Sequence, residues 1–318
     1  SAIVNDDLST FAQSIDSSLE ILLELANSDF NGQYNFGGTE TGSKPFYYDK
    51  DNGRVVVSND HIGGERVVKI SSGITQKFNT TGKELFQSVL YQAGNLDSSA
   101  GVGVPQLNTS KIYDADGNEY DLNLTFTMTG ANTYDLSYTI TDKESNTIAN
   151  DTVNDITFSS ETGEFSSIGS DSFGEINIKD TDNKIDFVID LNGLSEKDAP
   201  ASIRNSLSQK ADIFNTLISI RDQLNNGEKP SSEQVDIVNK FHQHLLNKLS
   251  AAGGVTNKLD STGDILKNRE IEISDLLSLE KDVDIARALI DLESAQYTLD
   301  ISYQISSMIL PKSLMDYL

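Results

Sequence analysis

The sequence predicts an α+β protein: a long antiparallel helical bundle formed by the two chain ends, with an inserted antiparallel β-rich domain. Three observations carry this reading. Near both ends, apolar residues recur at steps of 3 and 4, as on one face of a helix. In the middle they alternate with polar residues, as in a sheet with one buried face. Charge is also uneven. The 318 residues hold 24 Lys plus Arg against 49 Asp plus Glu, a formal net charge of −25. Residues 98–200 alone carry 19 acidic and 5 basic residues, more than half of that charge.

The first helix is read from Val4, Leu8, Phe11, Ile15, Leu19, Leu22 and Ala26, one stripe along about seven turns. The chain opens in mid-pattern, without Met or a cap, which fits either further residues upstream or a processed start at Ser1-Ala2. A loop rich in Gly and Asn follows, Asn31 to Gly38. Residues 33–80 read as short strands, among them Val55–Val57 and Val67–Ile70, with Asp51-Asn52-Gly53 as a hairpin turn. Residues 82–93, carrying Leu85, Phe86, Val89 and Leu90, read as a short helix.

In the acidic middle, Leu122, Leu124, Phe126 and Met128 alternate with polar residues. Tyr134, Leu136, Tyr138 and Ile140 do the same beyond a Gly130-Ala131-Asn132 turn. Further strands are expected at 155–159, 174–179 and 185–190.

From Pro200 the pattern reads as helix again, with Ile203, Leu207, Phe214, Leu217 and Leu224 on one face and Asn225-Asn226-Gly227 as its end. Ser231 and Gln234 make a capping-box pattern. They open a stripe from Val238 to Leu277 that could be one helix of about 45 residues. Gly253-Gly254 lies inside it, where close helix packing or a bend is expected. A last stripe holds Ile285, Leu289, Leu292, Leu299 and Tyr303, ends at Pro311, and leaves an apolar tail with Leu314, Tyr317 and Leu318.

These shifts divide the chain. Residues 1–32 form the N-terminal part of the helical core, and 33–97 its β-rich segment and short helix. Residues 98–199 form the acidic inserted β-domain. Residues 200–280 hold the long helices, and 281–318 the C-terminal assembly helix.

Composition and spacing narrow the function. The charge leaves no clustered Lys and Arg for phosphates, so no nucleic acid is expected. No apolar run approaches 18 residues, and neither a secretory signal nor a membrane partner is expected. With no Cys, disulfides, thiolate metal sites and a Cys nucleophile are excluded.

No catalytic residue, metal or cofactor is expected. His242 and His244 are two apart on a helix, about 200° round, and cannot share a metal. They read as exposed, and His61 reads as a turn residue. Asp114-x-Asp116-Gly117-Asn118 has Gly at position 4, where a calcium loop needs it at 6, and reads as a hairpin turn. Asp171, Asp180, Asp182, Asp186 and Asp190 read as a solvated acidic face. Gly101-Val102-Gly103-Val104 reads as a linker.

Three stretches together resemble the flagellin superfamily, and within it the family of hook-associated protein 3, the hook–filament junction proteins. The first runs from Leu23-Glu24-Leu25-Ala26-Asn27 through Gly32-Gln33-Tyr34-Asn35-Phe36-Gly37-Gly38 to Lys44-Pro45-Phe46. The second is Leu249 to Val255 with Asn257, Leu259 and Asp260. The third runs from Ser278, through an Asp282-Val283-Asp284 turn, to the Ser313-Leu314-Met315-Asp316-Tyr317-Leu318 ending. The middle is similar to a β-module of the flagellar hook protein, on Ile112 to Asn118, Leu122-x-Leu124-x-Phe126, Thr133-Tyr134-Asp135, Ile156-Thr157-Phe158 and Gly163-Glu164-Phe165.

The resemblance implies a flagellin-like helical core, an outward-facing insertion and a non-enzymatic structural role joining hook to filament. It implies an extracellular, flagellar location, reached by export without a cleaved signal peptide. The implied partners are other axial proteins (the hook-side junction protein and flagellin), copies of this chain in a ring, and an export chaperone. The predicted subunit interface is Ile285, Leu289, Leu292, Leu299, Tyr303, Leu314, Tyr317 and Leu318, packing as in a coiled coil. The alternatives are a filament flagellin and, from a different class, an extracellular binding module on a helical stalk. A flat aromatic-lined face within 112–190 would mark the last of these.

Overall fold

The computed structural model describes residues 2–58, 62–71 and 73–309. They form a mixed α+β chain with a β-rich middle and a long C-terminal helix. The chain divides into two compact units, residues 1–253 and 254–318.

In the first unit, α1 (Ala2–Ala26) opens the chain. Its buried stripe is Leu8, Ala12, Leu19 and Ala26, with Ile15 and Leu22 half-buried. Phe11, expected on that stripe, is 62% exposed, because small Ala12 takes the place nearest α3 (Ile213–Asn225). Leu8 and Ala12 pack with Ile220 and Leu224, while Leu19 and Ala26 pack with Ile213, Phe214 and Leu217. The two helices therefore run antiparallel.

Asn27 ends α1. Its side-chain amide donates to the Leu23 carbonyl (2.8 Å), and its carbonyl oxygen accepts the buried Phe46 N–H (2.9 Å). That is the physical content of the Ala-Asn … Pro-Phe spacing: one carboxamide closes a helix and fixes a strand 19 residues on. Short antiparallel pairs follow as expected: β1 (Asp29–Phe30) with β2 (Gln33–Tyr34), β3 (Phe46–Asp49) with β4 (Arg54–Val57), and β5 (Val67–Ser71) with β6 (Ile74–Lys77).

The helix expected over 82–93 is only one turn, α2 (Gly82–Phe86), held by a Thr81–Glu84 capping box. At Gln87 the backbone turns extended, and β7 (Val89–Asp97) begins. Phe86 joins Phe46, Phe214 and Phe241 in an aromatic cluster with ring centroids 5.3–6.4 Å apart.

Two sheets make the middle. The five-stranded one has the order β12 (Phe165–Ile168), β11 (Thr147–Phe158), β10 (Thr133–Thr141), β9 (Glu119–Gly130), β8 (Pro105–Tyr113), antiparallel throughout. The β9–β10 hairpin turns where expected, with Asn132 at φ 55°.

The four-stranded sheet has the order β13 (Glu175–Asp180), β14 (Ile185–Lys197), β7, β15 (Ser202–Leu207). Its β14–β7 pair is parallel. The sheets share one core, including Leu90, Phe126, Tyr134, Phe158, Phe187 and Ile189. Residues 202–207, expected in a helix, form an edge strand because β7 offers them a free side, Leu207 opposite Leu90. At Gly94 (φ +110°) a Cβ would strike the Ser202 carbonyl, so this close approach needs glycine.

Helix α4 (Ser232–Ile309) starts at the expected capping box: Gln234 N–H to Ser231 Oγ at 3.1 Å, Ser231 N–H to Gln234 Oε1 at 2.9 Å. It buries Ile237 and Phe241 in the first unit. It runs through Gly253-Gly254, where nothing among the described residues lies within 4 Å of either Cβ position, so the expected close packing is not met. It also runs through 282–284, where the resemblance implied a turn; no Gly or Pro interrupts the pattern there. Pro311, Leu314, Tyr317 and Leu318 lie outside the described residues, as does His61.

Candidate assembly surface and the charge clusters of the first unit

The predicted interface residues of the second unit are exposed on α4: Ile285, Leu289, Leu292, Leu299 and Tyr303, at 54–67%. Their spacing places them on one face. Sequence reading missed the other face. Ile290, Tyr297, Ile301, Ile305 and Met308 are 37–81% exposed, and at 100° per residue they centre about 150° from the first set. This part of α4 is apolar on two nearly opposite faces. Residues such as Ile290 and Tyr297 fall outside a single stripe, but their own 7-residue step was legible.

In the first unit, a groove of about 500 Å³ lies between α1, α3 and the start of α4, lined by Leu8, Phe11, Ile15, Leu224, Val235 and Val238 among others. Phe11, expected on the buried-side stripe of α1, supplies its exposed ring.

Three charge clusters, two of them buried, tie the β-sheets to the segments packed on them. In the first, Lys83 Nζ of α2 donates to Glu175 Oε1 (2.5 Å) and Asp190 Oδ2 (2.8 Å). Burial disfavours the ammonium, but the two carboxylates outweigh it and hold Lys83 above its usual range. In the second, Arg54 of β4 pairs with Asp186 of β14 near Asp212, the cap of α3. Burial and the Asp186 charge push the Asp212 carboxyl up to about 8. Burial raises Asp186 too, against the pull of Arg54. In the third, Asp116 accepts from Lys184 (2.9 Å) and Ser219, which anchors the 114–118 turn on α3.

Two expectations are corrected here. Asp186 and Asp190 are ion-paired and buried, not part of a solvated face, because each has a cation facing it, Arg54 of β4 and Lys83 of α2. His244 is half-buried and bonds the Glu84 carbonyl (2.7 Å), since α4 packs over α2 there; His242 is exposed as expected. Asp114 takes the backbone N–H groups of Asp116 and Asn118, as a turn residue does. Arg54 and Lys83 carried no sequence signal, since isolated cations in polar surroundings read as surface.

The β-domain aromatics face inward. Phe126, Tyr134, Phe158 and Phe187 are buried, and no large aromatic of 112–190 is exposed among the described residues. Among those residues, too, no helix is long and apolar enough to cross a membrane.

Residues 91–237 match the family model of the flagellar basal body protein FlaE D2 domain. The matched segment is just under half of the chain and runs from β7 to the first residues of α4, taking in both sheets. No curated protein matches the chain. The match supports a flagellar hook-type protein and bears out the likeness of the middle to a hook β-module. A hook-type domain indicates a structural role, association with other axial components, and a flagellum-associated, exported location.

Proposed function

We propose that this chain joins hook to filament, as a non-enzymatic subunit that assembles through its helices and turns its acidic β-domain, residues 98–199, to solvent. The observation that carries this is the combination in one chain of a hook-type β-domain and a long helix with exposed apolar faces. The first belongs to the hook. The second suits helical packing against neighbours. Two opposite apolar faces need neighbours on both sides, as in a ring or filament with head-to-tail contacts. Ile285, Leu289, Leu292, Leu299 and Tyr303 supply one face, and Leu314, Tyr317 and Leu318 are proposed as further contact residues. The neighbours proposed are hook-side junction protein, flagellin and further copies of this chain, with an export chaperone before assembly. The inward-facing aromatics count against a carbohydrate-binding module.

Immunogold electron microscopy with antibody against residues 98–199 tests the reading. Label in a narrow band between hook and filament is expected. Label along the filament would make the chain a flagellin, and label absent from flagella would overturn both.

A further inference from the structure

We propose that Lys83, Asp190 and Glu175 form an internal isopeptide staple, an amide between Lys83 Nζ and Asp190 Cγ, with Glu175 carrying the protons. The proposal is independent of the flagellar reading.

The geometry brings the three reacting groups together. Lys83 Nζ stands 2.8 Å from Asp190 Oδ2 and 2.5 Å from Glu175 Oε1. The two carboxylates are register partners across the β13–β14 pair, so the sheet holds them side by side. The side chains of Lys83, Glu175 and Asp190 are 5, 7 and 10% exposed. Burial raises the free energy of the ionised triplet relative to a neutral amine and acid.

Asp190 is also polarised in the required sense. Its Oδ1 accepts from the Asn192 N–H and side-chain amide, both at 3.0 Å, leaving Oδ2 to Lys83. Those two donors stand where charge would develop on Oδ1 as nitrogen attacks Cγ. Gly63 closes over the triad: a Cβ there would collide with the Glu175 carboxylate and Lys83 Cε. An adjoining cavity of about 520 Å³, lined partly by Ser172 and Asn192, gives the product water a way out.

Glu175 takes one proton from the ammonium and passes it to Asp190 Oδ2. The freed lone pair attacks Cγ, forming the C–N bond and placing negative charge on Oδ1. Glu175 then takes a second proton from nitrogen and delivers it to Oδ2. The Cγ–Oδ2 bond breaks, Oδ1 returns to a carbonyl, and water leaves. An ammonium and a carboxylate become an amide and water, and Glu175 ends as it began. Because the carboxylates hold Lys83 protonated at rest, the reactive neutral pair is a minor state and the bond forms slowly after folding. Fixed proximity supplies the effective concentration that free groups lack.

Intact-mass spectrometry of the full chain, folded, incubated and then denatured, tests this. The expected mass is one water below the sequence mass. Proteolysis should release a branched peptide joining the Lys83 and Asp190 segments. Lys83→Arg and Asp190→Ala should restore the full mass. Glu175→Gln should restore it too while circular dichroism stays native-like. A folded wild-type chain at full mass after prolonged incubation would overturn the proposal. So would a water loss that maps to a succinimide at Asp116-Gly117, or a branch from Lys83 to Glu175.

Discussion

Asp212 stands at the N-cap of α3, accepting the Asn215 N–H at 2.8 Å, with Asp186 and Arg54 as its charged neighbours. Its carboxyl is raised from the ordinary 3.8 to about 8, so the folded chain keeps a proton there that the unfolded chain releases. Stability from this group is therefore highest at low pH, falls across the interval between those two values, and stays low above it. Asp212→Asn keeps a capping oxygen and removes the titration. Urea unfolding against pH should show the variant gaining on wild type as pH rises through that interval; a constant difference would sink the idea. Asn27 offers a second test. Asn27→Ala leaves the Phe46 N–H buried without its acceptor and should cost about 1–3 kcal/mol in the same assay. The two residues differ in legibility. Asn27 belongs to a local motif with Pro45-Phe46 downstream. Asp212 and Lys83 gain their partners from strands at 175–190, which no local window contains.

At the scale of elements, periodicity was a sound guide wherever one partner sufficed. The β9–β10 hairpin is legible because its alternating apolar residues face a single core, and α1 because most of its stripe faces α3. The reading broke at residues 82–93 and 202–207. Both were read as helix, and both supply strands to the four-stranded sheet. Local preference lost there to pairing between residues more than a hundred positions apart. The one turn of α2 that survives depends on its cap. Thr81→Ala should cost about 1 kcal/mol, read as a lowered urea midpoint; an unchanged midpoint would mean that packing of Leu85 and Phe86 alone holds it. Helix α4 gives the opposite case, two exposed apolar faces where one was expected. Leu289→Asp with Leu292→Asp should leave monomer stability within about 0.5 kcal/mol, since neither side chain is buried. Self-association by sedimentation should fall. Unchanged association would move the interface to the face of Ile290 and Tyr297.

For the whole molecule, charge and fold divide the work. The acidic middle carries much of the −25 net charge, which favours solubility and opposes indiscriminate association. Its sheets are nevertheless tied to the rest of the first unit by Arg54 of β4, by Lys83 of α2 and by the Lys184–Asp116 pair that Ser219 anchors on α3. The position of β7 has a kinetic consequence. Its two neighbours come from residues 188–197 and 202–207, so β7 meets neither until about a hundred further residues are available. Closing so long a loop precedes any reward from pairing, which makes the sheet a late and slow event beside the microsecond formation of helices. A chain threaded through a narrow passage would keep this strand unpaired throughout transit and lock it only after release. Folding by such a route is timed by how much chain has emerged, and the topology itself serves as the clock.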